Sequence, residues 1–323
     1  MKLLMENWRR FLKEEVEGKP KLIFLIGPPA VGKTRWVKEN PQIVGDYVIL
    51  SNDDMVEKAA LEAGIGTYDD MFKRTPAEIL PLPAPGLEDL QKIEPYLASL
   101  QAVADKFNKE NPEEVEKFGP VAPFDVDDYI TALTPYTEKH KGKGGWGVSM
   151  TVVDRKTGKE KQNFIPLYYP KIKTAKEAAK EEFEGARTRM ATGKKNVIID
   201  MVNISLRSRD GHRVHMAAAI EGEDKIPSEN VVGIINNNFV QEAYVFANST
   251  EGWTDEEEEK IKEIALLRAG EYKEEGRSKT IPASAYDRMF GQYSPPTEAE
   301  GYSTIKYVGI PSLAKLTQKE EVV

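Results

Sequence analysis

The chain contains no cysteine and only three histidines, His140, His212 and His215. Disulfide frameworks, thiolate nucleophiles and Cys-based metal centres are thereby excluded, and a His-rich metal centre is not expected. No stretch approaches the roughly eighteen consecutive apolar residues of a transmembrane helix. The N-terminal segment lacks the apolar core of a signal peptide, because Glu6, Arg9 and Arg10 interrupt it. Leu4, Trp8, Phe11 and Leu12 instead share a helical face, which predicts a short amphipathic helix packed on the core. Positive charge is not in surplus either. There are 45 Lys and Arg against 53 acidic residues, a net of −8, so the chain as a whole exerts no pull on nucleic acid. A local basic surface remains open. What is present is an ordinary globular composition, 40% hydrophobic and 30% charged over 323 residues. That length accommodates one large α/β domain with an insertion, or two domains.

The strongest local signal is Gly27-Pro28-Pro29-Ala30-Val31-Gly32-Lys33-Thr34. It follows the apolar run Lys21–Ile26 and precedes a helix-compatible Arg35-Trp36-Val37-Lys38-Glu39, giving strand, Gly-rich loop and helix with the spacing of a P-loop. In such a loop backbone N–H groups surround a phosphate and the helix N-terminus adds a positive dipole. Lys33 then bridges the β- and γ-phosphates of ATP, and Thr34 offers a hydroxyl to Mg²⁺. The apolar run Tyr47–Leu50 reads as a buried strand ending in Ser51-Asn52-Asp53-Asp54. Carboxylates just beyond a parallel strand can accept a proton or hold a metal. The same residues also suit a helix N-cap, and both roles are compatible.

From Leu80 the texture changes. Pro81, Pro83 and Pro85 break the chain, 87–110 reads as a helix, and Pro112, Pro120 and Pro123 mark an irregular stretch. Asp125-Val126-Asp127-Asp128 leads a helix-like segment; a phosphatase-type nucleophile there lacks the preceding hydrophobic strand it needs. Gly145–Val153 and Gln162–Tyr169 read as the arms of a β-hairpin. Residues 86–138 hold four Lys against twelve acidic residues, a net of −8, whereas 139–195 hold fifteen Lys and Arg against six, a net of +9. The basic half carries Trp146, Phe164, Tyr168 and Tyr169, a mixture that suits a single-stranded nucleic-acid surface or, equally, a solvated hairpin and helix.

Residues 175–192 then read as a helix, and Val197-Ile198-Ile199-Asp200 as an apolar strand ending in a carboxylate, the form of a Walker-B strand whose Asp orients Mg²⁺. Asn203 can hydrogen-bond near such a site. Arg207 and Arg209 suit a phosphate or pairing with surface acids. Val231–Ile235 and Glu242–Phe246 read as two further strands, and Asp255–Glu259 starts a long helix.

Together these segments resemble the bacteriophage polynucleotide 5′-hydroxyl kinases and the related zeta-toxin-like P-loop kinases. The likeness rests on Gly27–Trp36, on Val48–Asp54, on Val197–Asn203, on the basic lid and helix Arg277–Phe290, and on Pro295-Pro296-Thr297-Glu298-Ala299-Glu300-Gly301-Tyr302, similar to the family's "PPTEEEGF" ending. It spans roughly residues 20–75 and 175–310. The resemblance implies an α/β fold, a P-loop NTPase-type parallel sheet flanked by helices with a large α+β insertion. It divides the chain into an N-terminal helix (1–19), a kinase domain (20–79 with 175–323) and an inserted subdomain (80–174).

By the same resemblance Gly27 to Thr34 would hold ATP, with Thr34 and Asp200 on Mg²⁺. Asp53 would be the general base, Asp54 and Asn203 would lie beside the acceptor, and Arg277 would clamp the phosphates. The implied substrate is a 5′-hydroxyl of DNA or RNA. The implied place is the cytoplasm, that of the host if the chain is phage-encoded, with no membrane. Asn52 and Val56 stand where the family often carries acceptor-gripping arginines, and Val202 replaces a Thr. Two alternatives stay open: a kinase of this fold acting on a modified base, nucleotide sugar or other small molecule, and a non-catalytic ATP-gated binding protein.

Overall fold

In a computed structural model, residues 18–73, 93–123, 151–153, 160–162, 167–193, 195–275 and 278–313 are described. Expectations for the N-terminal helix, the segment from Asp125, the hairpin tip at 154–159 and Arg277 fall outside them. The chain packs as two compact units, one comprising residues up to Met55 and from Ala179, the other Val56–Ala178. Among the described residues no helix is long and apolar enough to cross a membrane.

The first unit is built on a five-stranded, all-parallel sheet, β1 (Lys21–Ile26), β2 (Tyr47–Leu50), β7 (Asn196–Ile199), β8 (Val240–Val245) and β9 (Thr304–Tyr307), in the order β2-β7-β1-β8-β9. Leu22 to Ile26 are fully buried, as a central strand covered on both faces requires. The pleat divides them. Leu22, Phe24 and Ile26 enter one core with Val197, Ile199, Ala243 and Val245, while Ile23 and Leu25 enter the other with Ile198 and Tyr244.

Helices complete both layers. On the first face lie Ala186 and Ala191 of α6 (Pro170–Thr192), Met216 and Ala217 of α7 (Leu206–Glu221), and Val231 and Ile235 of α8 (Ser228–Asn238). On the second lie Trp36 and Val37 of α1 (Lys33–Glu39), Val44 of α2 (Pro41–Val44), Ile261 of α9 (Asp255–Glu274), and Tyr286 and Phe290 of α10 (Ala283–Phe290). The acidic start of α9 is fixed by a reciprocal cap. Thr254 Oγ1 accepts from the Glu257 amide, and Glu257 Oε2 accepts from the Thr254 amide.

Two expectations are corrected here. Val231–Ile235 is not a strand but the middle of α8, because Val231 and Ile235, one turn apart, share the buried face. The run Tyr47–Leu50 is a strand, yet it sits at the sheet edge and only Leu50 is buried.

The second unit contains most of α3 (Asn52–Glu62), α4 (Ile93–Glu110), α5 (Pro112–Phe118) and the start of α6. The stretch expected to be irregular at Pro112 is a helix, with proline at the first turn where its missing N–H costs nothing. The hairpin arms also pair differently from the sequence reading. Thr151–Val153 (β4) pairs with Glu160–Gln162 (β5), and Leu167–Tyr168 (β6) pairs instead with Ala122–Pro123 (β3). Leu100, Ala104, Phe107, Phe118 and Tyr169 are buried in this unit, and the Tyr169 hydroxyl donates to Glu114 at 2.6 Å.

Candidate functional site

The site lies at the carboxyl edge of the parallel sheet, where β1 has β7 on one side and β8 on the other. Successive strands join on opposite sides of β1, and ligands of open parallel sheets bind at such a point. The Gly-rich loop leaves β1 there under backbone constraint. Ala30 is left-handed at φ 69° and Gly32 at φ 102°; only glycine adopts the latter without strain. A Cβ on Gly32 would also stand 3.2 Å from Pro311 Cβ. The loop is braced from outside the motif: Ser312 Oγ donates to Ala30 O at 2.7 Å.

Lys33 Nζ donates to Gly27 O at 2.8 Å and Pro28 O at 3.2 Å, inside the curve of the loop. Burial lowers its pKa, and Lys279 adds to that, while the charges of Asp200 and Asp53 oppose it. Thr34 Oγ1 donates to Asp200 Oδ2 at 3.3 Å, so the first turn of α1 meets the end of β7. These are two hard oxygen donors side by side, suited to a cation that keeps other ligands from water and phosphate, as Mg²⁺ does. Among the described residues no group of three acidic or histidine side chains could hold a metal ion.

Asp53 stands in the first turn of α3, and Lys279 Nζ lies 2.6 Å from its Oδ2. Asp54 is exposed, and its amide donates to Ser51 Oγ. Desolvation raises its pKa and Asp200 and Asp53 add to this, against Ser51 and Lys279. Lys33, Thr34, Asp53, Asp54 and Asp200, drawn from three separate segments, therefore share one electrostatic neighbourhood with Lys279. Lys279 received no role in the sequence reading; its place within the basic run Arg277-Ser278-Lys279 was the available signal. Pro311 and Ser312 carried none.

Other expected site residues fall elsewhere. Asn203 is buried at φ 49°, and its Nδ2 donates to Leu25 O, Ile199 O and Met201 O, tying the ends of β1 and β7 together. Its Nδ2 thus serves the backbone, while its Oδ1 is buried without a hydrogen-bond partner among the described residues. Of the two roles open to Arg209, the structure shows pairing with an acid, in the interior rather than at the surface: it is fully buried and makes a two-pronged pair with Glu300, both contacts at 2.8 Å. Arg207 is exposed on the first turn of α7. Arg277 is outside the described residues. No protein-family model matches the chain, and no curated protein matches it.

Proposed function

We propose that this chain is a P-loop kinase that transfers the γ-phosphoryl group of ATP to a 5′-hydroxyl of a polynucleotide. One observation carries the reading: Lys33-Thr34, Asp53 and Asp200 meet at a single sheet edge, with Lys33 inside the loop and both carboxylates acting on its ammonium. The loop amides and Lys33 bind the donor phosphates. Thr34 and Asp200 are the residues that would hold Mg²⁺, which when bound neutralises charge between the β- and γ-phosphates. The 5′-oxygen attacks Pγ in line. The new O–Pγ bond forms as the bond to the bridging oxygen breaks, ADP leaves, and the proton passes to the Asp53 carboxylate. Lys279, with Arg277 from the same basic segment, would steady the transferring group.

The test uses γ-labelled ATP with a 5′-hydroxyl oligonucleotide, a panel of small hydroxyl acceptors, and no acceptor. Label on the oligonucleotide is expected. Lys33→Ala and Asp53→Asn should each lower it by about 10²–10⁴-fold with unchanged circular dichroism. An active Asp53→Asn enzyme would remove the base assignment, and label confined to free phosphate would remove the kinase. A second reading, a kinase of this fold with a small-molecule acceptor, is favoured by one fact. Val56, where a basic acceptor grip would sit on α3, is 8% exposed and apolar. Label confined to small acceptors selects that reading.

A further inference from the structure

Beside α7 lies an open surface recess of about 370 Å³ that the chemistry above does not use. Its lining includes Arg187, Ser205, Arg207, Ser208, His212 and His215. Two guanidiniums, two imidazoles and two hydroxyls line it, and no carboxylate does. Arg187 makes no ion pair among the described residues; its guanidinium sits 5.4 Å from the Phe183 ring centre, and burial lowers its pKa against the opposing charge of Glu184. Ser205 caps α7, accepting from the Ser208 amide, so the positive end of a sixteen-residue helix faces the same place.

His212 also reaches this recess. His212 is 7% exposed, set between the rings of Phe24 and Phe183, and its Nδ1 is buried without a hydrogen-bond partner among the described residues. Two guanidiniums, two hydroxyls and a helix N-terminus with no carboxylate among them suit an oxyanion, and the volume exceeds that of phosphate alone.

We infer that this recess is a phosphate-binding site that holds a backbone phosphate of the acceptor strand, with Arg187 and Arg207 as its charged contacts and His212 and His215 in its wall. The strand assignment rests on the proposed kinase reading. Ser205 follows Asp200 by five residues, so the helix cap lies within about 18 Å of the Walker-type carboxylate, a span of a few nucleotides. The recess thereby supplies the acceptor grip that Asn52 and Val56 do not.

The test measures binding of a fluorescein-labelled single-stranded 5′-hydroxyl oligonucleotide, without ATP, to the full chain and to Arg187→Gln/Arg207→Gln. Proton spectra of the histidines are followed in parallel as the oligonucleotide, a nucleoside 3′-monophosphate or inorganic phosphate is added. The double variant should bind the strand about 10- to 100-fold more weakly. Its dependence of log affinity on log salt should be shallower by about 0.7 for each strand phosphate that the variant no longer neutralises. The His212 and His215 signals should move with the oligonucleotide in the parent and not in the variant. Equal affinity and equal salt slope in the two proteins overturn the inference. So does a loss restricted to inorganic phosphate and the mononucleotide, which would make the site one for small phosphorylated molecules. Failure of the kinase reading is separately visible: no label transfer by the parent protein, with the strand-binding defect of the variant intact, removes the kinase and leaves the phosphate site standing.

Discussion

Replacing Glu300 by alanine should unfold the protein more readily than any single change at the candidate site. Glu300 is 6% exposed and its two oxygens are fully engaged. Oε2 accepts from Arg209 Nε at 2.8 Å and Arg213 Nη2 at 3.1 Å, and Oε1 from Arg209 Nη2 at 2.8 Å and the Thr297 amide at 3.0 Å. Burial pushes its pKa up, but the hydrogen bonds and charge of Arg209, helped by Arg213, outweigh that and hold it below the ordinary value. Arg209 and Arg213 are themselves fully buried. Removing the one carboxylate leaves two interior cations. Breaking a buried pair typically costs about 3–5 kcal/mol. The lower end applies here, because Arg209 keeps the carbonyls of Asn203, Ile204 and Ser294, and Arg213 keeps Asp210 and Gln241.

With a urea slope of about 3 kcal/mol/M, a loss of about 3 kcal/mol lowers the midpoint by about 1 M. Tryptophan fluorescence is a suitable probe, since Trp36 and Trp253 both pack in this unit. The exposed neighbour Glu298 supplies the control; Glu298→Ala should stay within about 0.5 kcal/mol of the parent. Because the folded pKa of Glu300 is depressed, its contribution is complete above the unfolded value of about 4.3 and fades as pH falls below it. The gap between parent and Glu300→Ala should narrow correspondingly. A midpoint indistinguishable from that of Glu298→Ala refutes the reasoning.

Gly32→Ala should destabilise by about 2 kcal/mol and weaken ATP binding, since φ 102° is left-handed and the new Cβ meets Pro311; a melting temperature and an ATP titration equal to the parent's would contradict it. Lys279→Ala should cost under about 1 kcal/mol of stability, because the pair with Asp53 is partly solvated, yet lower phosphoryl transfer by about 10–100-fold; full activity would remove Lys279 from the site. Burial, with the nearby charges of Arg187, His215 and Arg213, depresses the His212 pKa to about 4, so the unfolded chain binds the extra proton first as pH falls. Stability should decline between about pH 6.5 and 4 by up to about 3 kcal/mol, and His212→Gln should flatten that limb in chemical denaturation; an unchanged limb rejects the assignment.

The strands that were legible in sequence are those whose burial leaves a long mark. β1 and β7 are apolar runs ended by Gly27 and by Asp200, and burial on both faces demands such runs. Val231–Ile235 is equally apolar but is helical. Five residues do not distinguish period two from period 3.6, and the deciding contacts are tertiary. β9 escaped because Thr304-Ile305-Lys306-Tyr307 is a short edge strand with an exposed lysine. The interior place of Arg209 was hidden for a related reason. On α7 it stands one turn before Arg213 and two before Met216 and Ala217, all buried, and charge alone gave no hint that this face turns inward. Within the candidate site, Lys33, Thr34, Asp53 and Asp200 were legible because local spacing defines them. The pair between Asp53 and Lys279 joins residues 226 positions apart, and the brace from Ser312 to Ala30 joins residues 282 apart. No local pattern encodes either.

The ammonium groups at the sheet edge are engaged by the protein itself. Lys33 rests on two loop carbonyls, and Lys279 rests on Asp53. A carbonyl is a neutral acceptor, so a donor phosphate offers Lys33 a stronger, charge-assisted partner at the end of a flexible side chain. Lys279 differs, because its present partner is already an anion. On the proposed reading, a phosphate that draws Lys279 away also releases the Asp53 oxygen that must receive the acceptor's proton. Donor binding and exposure of the base are then two consequences of one side-chain movement. The partly solvated character of the pair keeps that movement inexpensive.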